Sequence, residues 1–237
     1  MRRPRAFLRV SGPDAEDYLQ RMVSNDVAAL AAGDACEALL LTPKARIVAP
    51  LRVVRRASDD FLVLTEPDLG ELVRSQLLRA RFAAKVEIEE EQHESWLVLG
   101  GDEVIDERPA GEEASEAEFE RRRIEARIPR WGAELDDRVL PAEAGLEETH
   151  INFSKGCYPG QEPIARQHYR GKVNRRLRLL DTEGEVAAGD ELVLDGKTVG
   201  RITSAVAGVA LGYVRTEVPD DAELQIAAKA GFARLRR

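Results

Sequence analysis

The residues best equipped for chemistry stand together at Lys155-Gly156-Cys157-Tyr158-Pro159-Gly160-Gln161-Glu162. A thiol, a cation, a carboxylate and a phenol share this short run. Gly156 and Gly160 admit a positive φ and close backbone approach, so the spacing predicts an ordered turn. A cation near a thiol lowers its pKa and exposes a nucleophilic thiolate. Cys157 is therefore the candidate functional thiol and Lys155 its candidate activator. The competing reading is a tight turn around a buried cysteine, because an unpaired Cys often behaves as a small core hydrophobe. His150 and His168 flank the run, but with Cys157 they fall one ligand short of a closed tetrahedral site, and no metal is expected. One cysteine cannot hold an iron–sulfur cluster alone, which leaves only transient ligation. No pattern supplies the positioned base and orienter of a nucleophilic triad.

The elements that must position this run are legible on both sides of it. Ala6 to Val10 reads as a strand. Ser11-Gly12-Pro13-Asp14 then reads as a helix start, with Ser11 or Gly12 as cap and Ala15, Tyr18, Leu19 and Met22 at helical spacing. Cys36 to Leu41, Ile47 to Val54 and Phe61 to Leu64 are rich in branched aliphatics and separated by turn residues, as strands are. Leu69 to Ala80 returns to helical spacing, Lys85 to Glu89 alternates, and Ser95 to Leu99 is a further strand ending in Gly100-Gly101. Glu107 to Ser115 is acidic and reads as a solvated loop. Phe119 to Ile128 is a helix stopped near Pro129, and an irregular segment leads from there to the Cys157 run. After Asn174 the pattern changes to short alternating strands. Asp195-Gly196 between two aliphatic runs is a strong hairpin signal, so this part reads as a small antiparallel barrel or sandwich. The fold class is α+β: residues 1–175 form a mixed body, with a pattern switch at Asn174 to Leu177, and residues 176–237 form the β-rich part. No internal repeat is present.

Composition narrows the function classes. The chain has 237 residues, enough for one large domain or two smaller ones. Aromatics are 5% of the chain, so its core rests on Leu, Val, Ile and Ala. A net charge of −8 disfavours a general nucleic-acid surface, although Arg166, Arg170, Lys172, Arg175, Arg176 and Arg178 form a basic stretch without an acid. Cys36 and Cys157 form no CxxC motif; a reducing compartment fits them, as would one disulfide. No apolar run is long enough to span a bilayer, and the stretch after the basic start is too short for a signal peptide. A cytoplasmic protein with no membrane partner is the expectation.

The Lys155–Glu162 run resembles the signature of the YgfZ family of folate-binding proteins, relatives of the glycine-cleavage aminomethyltransferase (T-protein). Val10-Ser11-Gly12-Pro13-Asp14-Ala15 with Tyr18-Leu19-Gln20 and Asn25-Asp26-Val27 is similar to the family's opening strand and helix. Thr42-Pro43-Lys44-Ala45-Arg46 resembles a family turn, and Arg123 to Pro129 and Pro141 to Leu146 resemble later family segments. The likeness runs from about Phe7 into the terminal barrel, and only the Cys157 run is highly specific.

This resemblance implies a ring-like body of two α/β subdomains, the second abbreviated at about 89–130, with a terminal β-barrel and a central channel for tetrahydrofolate. It implies a role in assembly or repair of iron–sulfur client proteins, with a tRNA-modification link in some members. Its implied cofactor residues are Glu143, Glu125 and Glu162 for the pterin's amidine-like edge, Glu143 foremost by family position. Phe119 is a candidate aromatic wall, with Tyr158 and Gln161 from the loop. Arg166 is a candidate for the folate glutamate tail or an RNA phosphate. Ala45 and Arg127 stand where relatives usually carry glycine. Ala49 and Pro50 stand where aminomethyltransferases carry an acidic pair. Neither residue transfers a proton, and loss of a general acid or base removes about a hundredfold or more in rate. The resemblance therefore implies an accessory factor before a one-carbon transferase or a tRNA-binding module.

Overall fold

The computed structural model describes residues 1–98, 103–111 and 113–236. The expected strand end at Leu99 and the Gly100-Gly101 turn lie outside the described residues. The chain forms two compact units, each assembled from separate stretches of sequence.

The first unit comprises Arg2–Gly111 and Leu146–Tyr169. Its strands β1 (Ala6–Ser11), β2 (Ala35–Leu41), β3 (Ile47–Ala57), β4 (Asp60–Thr65) and β5 (Glu87–Glu91) form one sheet in the order β2-β3-β4-β1-β5. Every neighbouring pair is antiparallel. Burial alternates along β3, as a strand with one covered face requires. Helix α1 (Ala15–Met22) buries Ala15, Tyr18 and Leu19. The Tyr18 hydroxyl donates to the Leu77 carbonyl of helix α2 (Gly70–Ala80) at 2.5 Å, a polar tie between the two helices. The expected cap of α1 differs. Gly12 has φ +121° and sits against the Lys85 backbone, while Asp14, at the cap position, accepts from the Lys85 amide at 2.7 Å instead of capping. A small hairpin of β6 (Ser95–Leu97) and β7 (Glu103–Ile105) completes the stretch. Arg5 and Glu103, both nearly buried, clamp it at 2.8 Å, and Arg5 holds the Glu103 carboxyl below the usual range against the opposing effect of burial.

The second unit comprises 113–145 and 170–236. Helix α3 (Glu116–Glu125) opens with a capping box in which Ser115 and Glu118 satisfy each other's backbone amides. It buries Ile124 against Leu179, Val209 and Leu211. Strands β8 (Arg175–Gly184), β9 (Glu191–Leu194), β10 (Lys197–Val206), β11 (Val209–Arg215), β12 (Glu223–Ile226) and β13 (Gly231–Leu235) close into an antiparallel barrel in the order β10-β11-β8-β13-β12-β9. Asp195-Gly196 joins β9 to β10 with positive φ at both residues, the turn that suits strand twist. Leu180, Leu192, Ile202, Leu224 and Ala233 fill the interior. A Cβ on Gly200 would lie 2.5 Å from the Tyr213 carbonyl, so adjacent strands approach too closely there for any side chain. The α+β class with a terminal closed barrel is as expected from the sequence.

Three helices escape the sequence pattern. Helices α4 (Pro141–Ala144) and α5 (Glu147–His150) have four residues each, too short to show a period. Helix α6 (Gln161–Arg170) buries only Ile164, so its apolar repeat is nearly empty. Pro163 in its first turn is compatible with a helix, because the missing N–H has no intrahelical partner there. Among the described residues no helix is long and apolar enough to cross a membrane.

Candidate functional site

The Cys157 loop is built from the inside out on the turn that follows α1. Ser24 is fully buried. Its hydroxyl donates to the His150 carbonyl at 2.6 Å and accepts from the Leu39 amide at 2.8 Å, tying α5 to β2. Asn25 donates to the carbonyls of Glu37 and Thr149 at 2.7 and 3.1 Å. The Asn152 amide donates to the Ser24 carbonyl at 3.0 Å, and its side-chain oxygen accepts from the amides of Ser154 and Lys155. That Asx turn sets the chain direction into the loop.

Lys155 then points inward. Only 8% exposed, its ammonium donates to the carbonyls of Val23 at 2.7 Å and Asn25 at 2.6 Å. It lies 5.4 Å from the centroid of the Tyr158 ring. Burial pulls the ammonium pKa down to about 8, although Asp26 and Cys36 favour the charge. The expected pairing of Lys155 with the Cys157 thiol is not what the structure builds. Two buried carbonyls without a partner would cost several kcal/mol at most and about 1 each at least, and the lysine answers them instead. The thiol whose charge Lys155 feels is Cys36 on β2, which burial pushes up to about 11.

Cys157 is exposed. Tyr158 beside it is 7% exposed, burial raises its hydroxyl to about 12, and among the described residues that hydroxyl has no hydrogen-bond partner. Gly160 has φ +84°, and a Cβ there would lie 2.7 Å from the Thr42 carbonyl and 3.1 Å from the Ala45 Cα. The loop thus lies backbone to backbone against the Thr42–Arg46 turn, and no other residue fits at 160. Gln161 donates to the Lys155 carbonyl at 3.3 Å and closes the loop. Glu162 and Arg166 are exposed on α6. The histidines have other partners than Cys157. His168 stacks on Phe153 and contacts Glu147 at 3.1 Å. His150 contacts Thr149 at 2.7 Å, and burial lowers its pKa. Among the described residues no group of three His, Cys, Asp or Glu side chains is placed to hold a metal ion.

Phe119, Glu125 and Glu143 belong to the second unit. Phe119 is buried on α3, where a wall for a ligand would need an open ring face. Glu125 is exposed and pairs with Arg121 at 3.4 Å. Glu143 on α4 is held by a two-pronged contact from Arg175, at 3.2 and 3.3 Å, and accepts from the Leu140 amide at 3.1 Å. The Arg175 guanidinium in turn lies 4.6 Å over the Tyr213 ring. The sequence reading missed this partner and also the set of Arg123 with the buried Glu134 and Ser204 (Arg123–Glu134 2.8 Å, Ser204–Glu134 2.6 Å). On β3, Ala49 is fully buried and opposite Leu40, and Pro50 faces Leu39 with its carbonyl accepting from Thr65 at 2.9 Å.

The comparisons with known proteins follow the same division. A family model described as "CAF17, C-terminal beta-barrel domain" matches residues 174–236, the span of β8 to β13. The glycine cleavage system aminomethyltransferase T of Bartonella henselae has the same fold. Its crystal structure superposes with a TM-score of 0.80 at 18% identity, over 97% of this chain and 81% of that one. An uncharacterized protein of Haemophilus influenzae is 28% identical over 230 residues, 84% of this chain and 81% of the other. In sequence the chain is also similar to aminomethyltransferases, that of Nostoc being 29% identical over 211 residues, 88% of this chain. The human mitochondrial iron-sulfur cluster assembly factor IBA57 is 32% identical over 130 residues, 52% of this chain and 36% of the human one. The chain spans about half the length of the aminomethyltransferases that it matches, 47% of the Nostoc one.

Proposed function

We propose that this protein is an accessory factor for the assembly or repair of iron–sulfur proteins, that it binds tetrahydrofolate, and that Cys157 is its working thiol. The observation that carries the reading is a contrast between two positions. Where aminomethyltransferases keep an acidic pair, this chain has the buried Ala49 and the strand residue Pro50, which transfer no proton. Meanwhile the loop around Cys157 is anchored by Lys155, Asn152 and Gln161, and its thiol is left in solvent. The similarity to IBA57 supports the iron–sulfur part of the reading.

The chain's donor set fits a reduced folate at the pterin end. Glu143 already receives a planar fork of two N–H donors from Arg175. A pterin's amidine edge is also a planar two-donor fork, so it suits the same carboxylate once Arg175 swings aside. Glu125, exposed on α3, is the alternative acceptor. Folate would supply a carrier of one-carbon units. The chain's own residues bind and orient it.

Two measurements test the proposal. Titration calorimetry with tetrahydrofolate is expected to show binding at sub-millimolar concentration, weakened about tenfold or more in Glu143→Gln, where one charge-assisted pair is lost. No binding at that concentration rejects the folate part. An assay for methylene transfer to tetrahydrofolate is expected to show no turnover, and turnover at an aminomethyltransferase's rate would return the chain to enzyme chemistry.

A further inference from the structure

His93 lies outside the site described above, in the link between β5 and the β6–β7 hairpin, and both of its ring nitrogens are engaged. Nδ1 is 2.6 Å from an Asp106 oxygen, just past β7, and Nε2 is 2.8 Å from Glu91 of β5. Nε2 is also 3.0 Å from the Arg56 guanidinium of β3, which pairs with Glu91 at 2.7 Å. Phe7 of β1 meets the ring edge-on at 5.1 Å. The other charges facing this cluster are Arg9, 3.8 Å from Glu91, and Arg2, 2.8 Å from Glu94. Asp106 adopts φ +59°, a left-handed backbone unusual for a residue with a side chain. Its second oxygen accepts from the Glu94 amide at 3.1 Å. The strained turn is therefore held by contacts that include the imidazole.

The two positions around Nε2 are mutually exclusive in proton terms. Nε2 can donate to Glu91 only when protonated and can accept from Arg56 only when bare. We propose that His93 is a proton-controlled clasp on the β6–β7 hairpin: doubly protonated, it ties Glu91 to Asp106, and after losing the Nε2 proton to water it keeps Asp106 but exchanges Glu91 for Arg56. Between one state and the other His93 gives up its tie to Glu91 on the sheet-edge strand β5 and keeps the one to Asp106 of the hairpin. The side chain is 17% exposed, so water can take the proton.

The partners around the ring favour the protonated, clasped state relative to a free imidazole. Burial pulls the imidazole pKa down, but the hydrogen bonds to Glu91 and Asp106 outweigh it and the net direction is up. A raised pKa places the clasp's stabilisation below the ordinary imidazole value of about 6.5, with loss as pH rises through the folded value. At the acid end, the hydrogen bond to His93 lowers the Asp106 pKa; for Glu91, burial raises it but His93 and Arg56 lower it further. The clasp therefore persists until pH falls through that depressed carboxylate range.

The test uses the full chain. Imidazole NMR follows the three histidines with pH, His93 being assigned by the signal missing in His93→Gln. His93 is expected to titrate above the ordinary value and to move down in Asp106→Asn. Amide exchange of Trp96 and Val104, corrected for the intrinsic rate, is expected to lose roughly fivefold in protection as His93 deprotonates, the worth of one partly exposed charged contact. His93→Arg, permanently charged, should keep that protection at every pH. A wild-type His93 that titrates at or below the ordinary value overturns the proposal. So does hairpin protection that follows only the intrinsic rate.

Discussion

Cys157 and Lys155 are neighbours in sequence with opposite fates, and each fate makes a prediction. Cys157→Ser changes little volume at an exposed position, so its Tm should stay within about 2 °C of wild type. Under the proposed function, cells carrying it should nonetheless lose iron–sulfur enzyme activity; full activity would remove the thiol from the mechanism. Lys155→Met instead strands the Val23 and Asn25 carbonyls and should cost about 2–4 kcal/mol in urea unfolding. The lysine also has a pH signature. Its folded pKa of about 8 lies below the unfolded value, so between the two the unfolded chain binds more protons and stability rises with pH. The neutral amine still has two N–H groups for the two carbonyls. Cys36, raised to about 11, has the opposite sign above its own unfolded value. The wild-type minus Lys155→Met difference removes most of it and should grow with pH through the lysine window. Sequence spacing located these residues but misassigned Lys155. Two residues' separation says nothing of direction, and the buried carbonyls that direct it come from a turn far away in the chain.

At the scale of elements, α3 ends on a feature that the sequence did flag. Its last turn closes with the Ile128 amide on the Arg123 carbonyl and the Arg127 amide on the Ile124 carbonyl, with Arg127 at φ +55°. This is a Schellman end, where glycine is the usual residue. Arg127→Gly relieves a left-handed penalty of about 1–2 kcal/mol and adds about 0.5–1 of chain entropy. A net gain of about 0.5 kcal/mol is expected in chemical denaturation, and a clear loss would mean that the Arg127 contact to the Arg236 carbonyl matters more. Ala45, the other glycine replacement, likewise keeps φ +60°. The resemblance thus located both left-handed positions, because backbone geometry outlasts the residue that suits it best. Strands and the barrel were legible for a related reason: alternation and the Asp195-Gly196 turn are local signals. Helix α6 was not legible, since one buried residue makes no period. The Arg175–Glu143 fork was not either, since ion pairs across 32 residues leave no mark in spacing.

For the whole molecule, the carboxylates that neighbours hold below their usual range are spread along the chain. They are Glu91, Glu103, Asp106, Glu118, Glu120, Asp136 and Asp190. Depressed folded values give stability that is complete above the unfolded carboxylate range of about 4 and lost as pH falls through the folded values. Urea midpoints should therefore be flat from about pH 5 to 7 and drop steadily below about pH 4. A midpoint unchanged at pH 3 would show that these pairs contribute little. His93, with its opposite sign, adds a shallow decline on the alkaline side.

Lys155 reaches the carbonyls of Val23 and Asn25 across 132 and 130 positions of chain. During synthesis those carbonyls leave the ribosome long before their partner exists. At roughly 5–20 residues per second the wait is about 7–26 s. Until then, the turn after α1 has only water to satisfy it. A chain that stops short of this lysine lacks Cys157 together with its anchor, so the turn after α1 and the thiol-bearing loop are completed within two residues of synthesis of one another.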